Sequence, residues 1–108
     1  MTANENTVTL NGGTADRVYG GFAESRAATA NNNTVTMSGG SVTAIYGGYA
    51  DVGSLAGIYT TTASGNSVNI SGGTVGAVYG GFVDAPSGVK QATNNIVTIS
   101  SSHGLSSA

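Results

Sequence analysis

Side chains able to do acid–base, metal or nucleophilic chemistry are scarce in this chain. Of its 108 residues, three are Lys or Arg, five are Asp or Glu, one is His and none is Cys. Glu24, Asp51 and Asp84 each stand two residues after an aromatic residue, namely Phe22, Tyr49 and Phe82. Three such carboxylates could serve a cation site or one partner of a sugar-cleaving pair. Polysaccharide cleavage needs clustered carboxyls, or a basic group poised near an acid. Arg17, Arg26 and Lys90 are the basic residues, and His103 lies in a Ser-rich end. No base is available to activate one of the many Ser and Thr hydroxyls. The glycine pairs lack the Gly-x-Gly-x-x-Gly spacing and a following helix. Without cysteine, disulfides and thiolate metal sites are excluded. The expectation is a non-enzyme without a cofactor.

These residues are positioned by an internal repeat. Three gapless units span 6–24, 33–51 and 66–84, and a partial fourth spans 95–104. The first reads Asn6-Thr-Val-Thr-Leu-Asn-Gly-Gly-Thr-Ala-Asp-Arg-Val-Tyr-Gly-Gly-Phe-Ala-Glu24. Variable spacers separate the units, the longest running from Val52 to Gly65 and carrying Leu55, Ile58 and Tyr59. Val8 and Leu10 alternate with Thr7 and Thr9, the period of a half-buried strand. Each unit thus predicts strand, Gly-Gly corner, second short strand, second Gly-Gly corner, aromatic residue and returning loop.

Two folds compete for this pattern, both within one all-β domain over 1–108. One is a right-handed parallel β-helix (β-solenoid) of about three to four coils, in which equivalent residues stack in register. The other reads Asn11-Gly12-Gly13 as a hairpin turn and gives a pseudo-threefold antiparallel β-prism. Spacers that differ in length, and a fourth partial unit, favour the β-helix.

The unit Asn-Thr-Val-Thr-x-x-Gly-Gly-x-Val-x-x-Val-Tyr-Gly-Gly-Phe/Tyr resembles the repeats in passenger regions of bacterial autotransporter and related surface adhesin proteins. That resemblance implies an exported right-handed parallel β-helix located outside the cell or on the bacterial surface. The signal peptide, capping modules and outer-membrane barrel that accompany such repeats are not expected within these 108 residues.

In a stacked coil every repeat position becomes a column. Val8/Val35/Val68/Val97, Leu10/Met37/Ile70/Ile99 and Val18/Ile45/Val78 are expected to form the core. Asn6, Asn33, Asn66 and Asn95 are expected to form an amide ladder. Tyr19, Tyr46 and Tyr79, beside Phe22, Tyr49 and Phe82, offer aromatic stacking and a surface for sugar rings. Glu24, Asp51 and Asp84 form an acidic column whose like charges repel unless they splay into water or hold a cation. The tyrosine and acidic columns together are the candidate binding residues. Outward Thr7, Thr34, Thr9, Thr36 and Thr98 give a partly flat hydroxyl face of the kind ice-binding solenoids carry. Ser67, Asn69 and Ile96 interrupt it, and β-propensity accounts for it.

Composition bounds the function. Gly, Thr, Ser and Asn make about half the chain, and charged residues only 7%. A net charge of -2 leaves no electrostatic footprint for nucleic acid. No apolar run approaches the roughly 20 residues of a membrane-spanning helix. The expected function is a non-catalytic structural or adhesive module that presents loops to glycans or a host surface. The alternatives are a self-assembling block that forms filaments or head-to-tail oligomers through uncapped coil ends, and a small lectin-like domain.

Overall fold

The computed structural model of the chain describes residues 2–24, 28–51, 60–84 and 89–99. Arg26, Tyr59 and His103, the loop residues Leu55 and Ile58, and the fourth unit from Ser100 onward lie outside these described residues. Among those described, the chain is all-β and has no helix. The strands are β1 (Thr7–Leu10), β2 (Thr14–Glu24), β3 (Thr34–Met37), β4 (Ser41–Asp51), β5 (Thr60–Thr62), β6 (Ser67–Ile70), β7 (Thr74–Asp84), β8 (Val89–Gln91) and β9 (Ile96–Ile99).

They form three open sheets, ordered β1-β3-β6-β9, β2-β4-β7 and β5-β8, and every strand pairing in them is parallel. The register joins equivalent repeat positions: Val8 with Val35, Val35 with Val68, and Val68 with Val97. Successive units therefore lie one beside the next, each adding a short strand to the first sheet. The three complete units also each add a long strand to the second sheet.

The antiparallel β-prism expectation fails on this pairing. β1 and β2 belong to different sheets, so Asn11-Gly12-Gly13 is a corner between sheets. Gly13, Gly40 and Gly73 turn that corner with φ of 87°, 97° and 93°. Gly12 stays out of the left-handed region, so the two consecutive left-handed residues of a type I′ hairpin are missing.

The second glycine pair behaves differently from the corner expected there. β2 runs through Gly20 and Gly21 without a break, and neither has a positive φ. The chain still changes direction. Along β4, Val42, Ile45 and Ala50 are all buried, although spacings of three and five residues cannot keep to one face of a flat strand. Pairing is interrupted at Thr43 and Gly47, between those buried residues. The long strand therefore bends twice and lines more than one side of the interior.

The spacers also hold more structure than loops. Their C-terminal ends carry β5 and β8, and Thr2, Thr29 and Thr62 are joined by parallel bridges. The chain turns from this third sheet into the first at Glu5, Asn32, Gly65 and Asn94, with φ of 59°, 57°, 67° and 57°. A left-handed residue thus marks the same corner in every unit.

The interior has two apolar clusters. The larger is built from Val18, Val35, Met37, Val42, Ile45, Val68, Ile70, Val75 and Val78. It includes the expected columns and adds Val42/Val75, with Ala15 packed against them. The smaller is almost all alanine: Ala23, Ala28, Ala30, Ala50 and Ala63, with Ala3 and Val83 beside it. Val97, expected in the core, is 40% exposed, because the outermost described strand has no neighbour on one side.

Candidate functional site: an aromatic ladder beside an acidic column

The asparagine column sets the geometry of the site. Asn33 and Asn66 are fully buried. Each side-chain amide donates to the carbonyl oxygen of an alanine in the preceding unit, Asn33 to Ala3 at 2.8 Å and Asn66 to Ala30 at 3.0 Å. Each also donates to the amide oxygen of the next asparagine, at 3.0 Å and 2.9 Å. The backbone N–H groups of Asn6, Asn33 and Asn66 donate to the amide oxygens of Asn33, Asn66 and Asn95 in turn. A buried amide is tolerated when its donors and acceptors are filled in this way.

This ladder explains the second glycine pair. A Cβ at Gly21 would fall on the Asn33 amide nitrogen, 2.6 Å from its Cγ and 2.7 Å from the Ala3 oxygen. A Cβ at Gly20 would collide with the Gly47 carbonyl oxygen. Only glycine leaves room for the amide, and the strand bends there. The bend puts Tyr19 and Phe22, three residues apart, into contact on one outer face.

The aromatic residues stack as expected. Tyr19, Tyr46 and Tyr79 have ring centroids 5.0 Å and 4.8 Å apart, with planes within 11° and 5° of parallel. Phe22, Tyr49 and Phe82 stack at 4.9 Å and 4.8 Å. The two columns meet edge to face, for example Tyr46 against Tyr49 at 5.2 Å and 84°. Both faces of Tyr46 and Tyr49 are covered by their column neighbours. The middle of the ladder therefore offers ring edges and hydroxyls rather than open faces.

The acidic column lies in register at the end of the long strands, Glu24 beside Asp51 and Asp51 beside Asp84. Among the described residues, no group of three or more His, Cys, Asp or Glu side chains could hold a metal ion. The acids act on the neighbouring phenol instead. Burial, and then the charges of Asp51 and Asp84, raise the pKa of Tyr49. Burial, followed by Tyr79 and Tyr19, raises that of Tyr46. At the other border, a hydrogen bond with Tyr19 raises the pKa of Arg17, a contact the shared face of residues 17 and 19 makes readable from strand alternation.

All six candidate residues thus lie on the second sheet, the tyrosines as one stack and the acids as one row. The Phe22/Tyr49/Phe82 column joins them, and its spacing in the sequence is as regular as that of the tyrosines and acids. A shallow hollow elsewhere, at the first glycine corner, is lined by residues such as Leu10, Gly13, Ala15 and Val42, with no ionisable side chain. Comparison with protein-family models, curated proteins and solved structures gave no match. Among the described residues, no helix is long and apolar enough to cross a membrane.

Proposed function

We propose that the chain is a non-catalytic structural and adhesive module, a stretch of right-handed parallel β-solenoid from a secreted or cell-surface bacterial protein. The observation that carries this reading is the register: each strand pairs with its own repeat equivalent in the next unit. Such an array is built from nearest-neighbour contacts and can be lengthened unit by unit, which suits a stalk. The segments of variable length all fall between the end of a long strand and the third-sheet segment. Insertions at one point of a rigid frame are where binding specificity is ordinarily carried. Glycan contact through the tyrosines falls to the end rings, since the inner faces are covered.

The test is a loop exchange. Replacing Val52–Tyr59 by a short Gly-Ser linker should leave the β-sheet circular dichroism and melting temperature nearly unchanged. It should abolish binding to glycan-coated or matrix-coated surfaces. Binding that persists after this exchange would overturn the adhesive part of the reading.

The alternative of self-assembly is favoured by one observation. Among the described residues, β1 and β2 at one end, and β7 and β9 at the other, are the outermost strands of their sheets. Outermost strands offer unpaired N–H and C=O groups to a second copy of the chain. Sedimentation that shows size growing with concentration supports this reading, and a monomer at all concentrations removes it.

A further inference from the structure

We propose that the tyrosine cluster on the second sheet is an oxidative cross-linking site, at which Tyr46 is joined to Tyr19 or Tyr79 by a dityrosine bond that staples adjacent units of one chain. Dityrosine forms when two phenols each lose one electron and one proton and the ortho carbons of the two rings join. The ring hydrogens then move to oxygen and both phenols are restored. The co-reactant is a peroxide used by a haem peroxidase, so that two tyrosines and one hydrogen peroxide give one dityrosine and two waters. Coupling within a chain requires rings that are already neighbours, because the radicals are short-lived. Two stacked pairs meet that requirement, at centroid separations of 5.0 Å and 4.8 Å.

A biaryl bond sets its ring centres only a little closer than this. The bond needs the rings to turn about χ2, a broad and soft torsion for tyrosine. The parallel backbone therefore needs little shift. All three rings are half-buried, so an oxidant has access to them from solvent. The partners are also defined by identity: Tyr49 lies between Phe22 and Phe82 in its own column, which cannot couple in this way. Tyr46 touches Tyr19, Tyr79 and Tyr49, whereas without it the remaining tyrosine neighbours among the described residues are Tyr19 and Tyr49, edge to face at 5.5 Å. Tyr46 is the hub. The proposal stands on ring geometry and is independent of any adhesive role.

The experiment treats the full chain at low micromolar concentration with a haem peroxidase and hydrogen peroxide. It follows dityrosine fluorescence of the monomer band and maps cross-linked peptides by mass spectrometry. The expected product is a monomer lighter by two hydrogens, with Tyr46 joined to Tyr19 or Tyr79. Tyr46→Phe keeps the ring stack and should lower the yield in the monomer by threefold or more. Tyr49→Phe should leave most of it. Circular dichroism of both variants verifies the fold. An unchanged yield in folded Tyr46→Phe, cross-links confined to dimers, or cross-links that map away from Tyr46 would each overturn the proposal.

Discussion

Asn66 Oδ1 accepts two hydrogen bonds from Asn33, one from its backbone N–H at 2.9 Å and one from its side-chain amide at 3.0 Å. Both asparagines are fully buried. This pair ties two units together through side chains as well as backbone. Asn66→Ala removes the one oxygen that accepts both of these bonds and leaves the Ala30 carbonyl without the Asn66 donor. At about 1–3 kcal/mol for each buried group left unpaired, the expected loss is about 3 kcal/mol or more. Asn6→Ala, at the exposed end of the ladder, should cost about 1 kcal/mol. Urea denaturation midpoints of the two variants check the contrast.

Two glycines that look alike in sequence should respond differently to alanine. A Cβ at Gly48 would stand 2.5 Å from the Asn66 amide nitrogen and 2.7 Å from the Ala30 oxygen. Gly48→Ala must displace the ladder, at a cost of about 1–3 kcal/mol for overpacking. Gly12 has nothing within 4 Å of such a Cβ, and its φ is not positive. Gly12→Ala should stay within about 0.5 kcal/mol of the parent. Thermal melts of both variants decide this.

Thr61 is fully buried, and among the described residues its hydroxyl has no hydrogen-bond partner. Thr61→Val keeps the shape and removes an unsatisfied polar group. It should stabilise the fold by about 1 kcal/mol, read as a rise in the urea midpoint. A fall of that size would show that the hydroxyl is satisfied in solution.

Alkaline pH should loosen the aromatic face. Burial raises the phenol pKa of both Tyr46 and Tyr49 in the folded chain, and Asp51 and Asp84 add to the effect at Tyr49. The folded state therefore holds these protons more tightly than the unfolded state does. Their contribution is fully present below the unfolded phenol pKa of about 10, and is lost as pH rises through the folded values. Stability measured from pH 8 to 11.5 should fall above about pH 10. The fall should be shallower in Tyr49→Phe, where the phenol facing the acids is gone.

Much of this arrangement is legible in the sequence because the repeat turns a one-dimensional pattern into columns. Val35 over Val68, Tyr19 over Tyr46 and the asparagine ladder follow directly from alignment of the units. The third sheet is not apparent, since its strands are three residues long and the buried positions in and beside it are Thr61, Ala28, Ala30 and Ala63, too small or too polar to give an apolar alternation. Thr-Ala-Asn at 2–4 and again at 29–31 is the signal that extends the unit backward. The second glycine pair looks like a corner because glycine has two uses, conformational freedom and lack of a Cβ. Gly21 is there for the second reason, and the atom it accommodates belongs to Asn33, in the following unit.

Equivalent residues of successive units lie side by side in parallel register. The chain has no cysteine, so engineered pairs report on it without interference. Thr36 and Asn69 are register partners on β3 and β6, whereas Thr34 is two residues out of register with Asn69. Parallel neighbours lie about 4.8 Å apart, inside the Cα range a disulfide spans. Thr36→Cys/Asn69→Cys should oxidise within the monomer and raise the melting temperature. Thr34→Cys/Asn69→Cys should remain reduced under the same conditions. Free thiols in the first pair, or equal oxidation of both, would contradict the stacked arrangement.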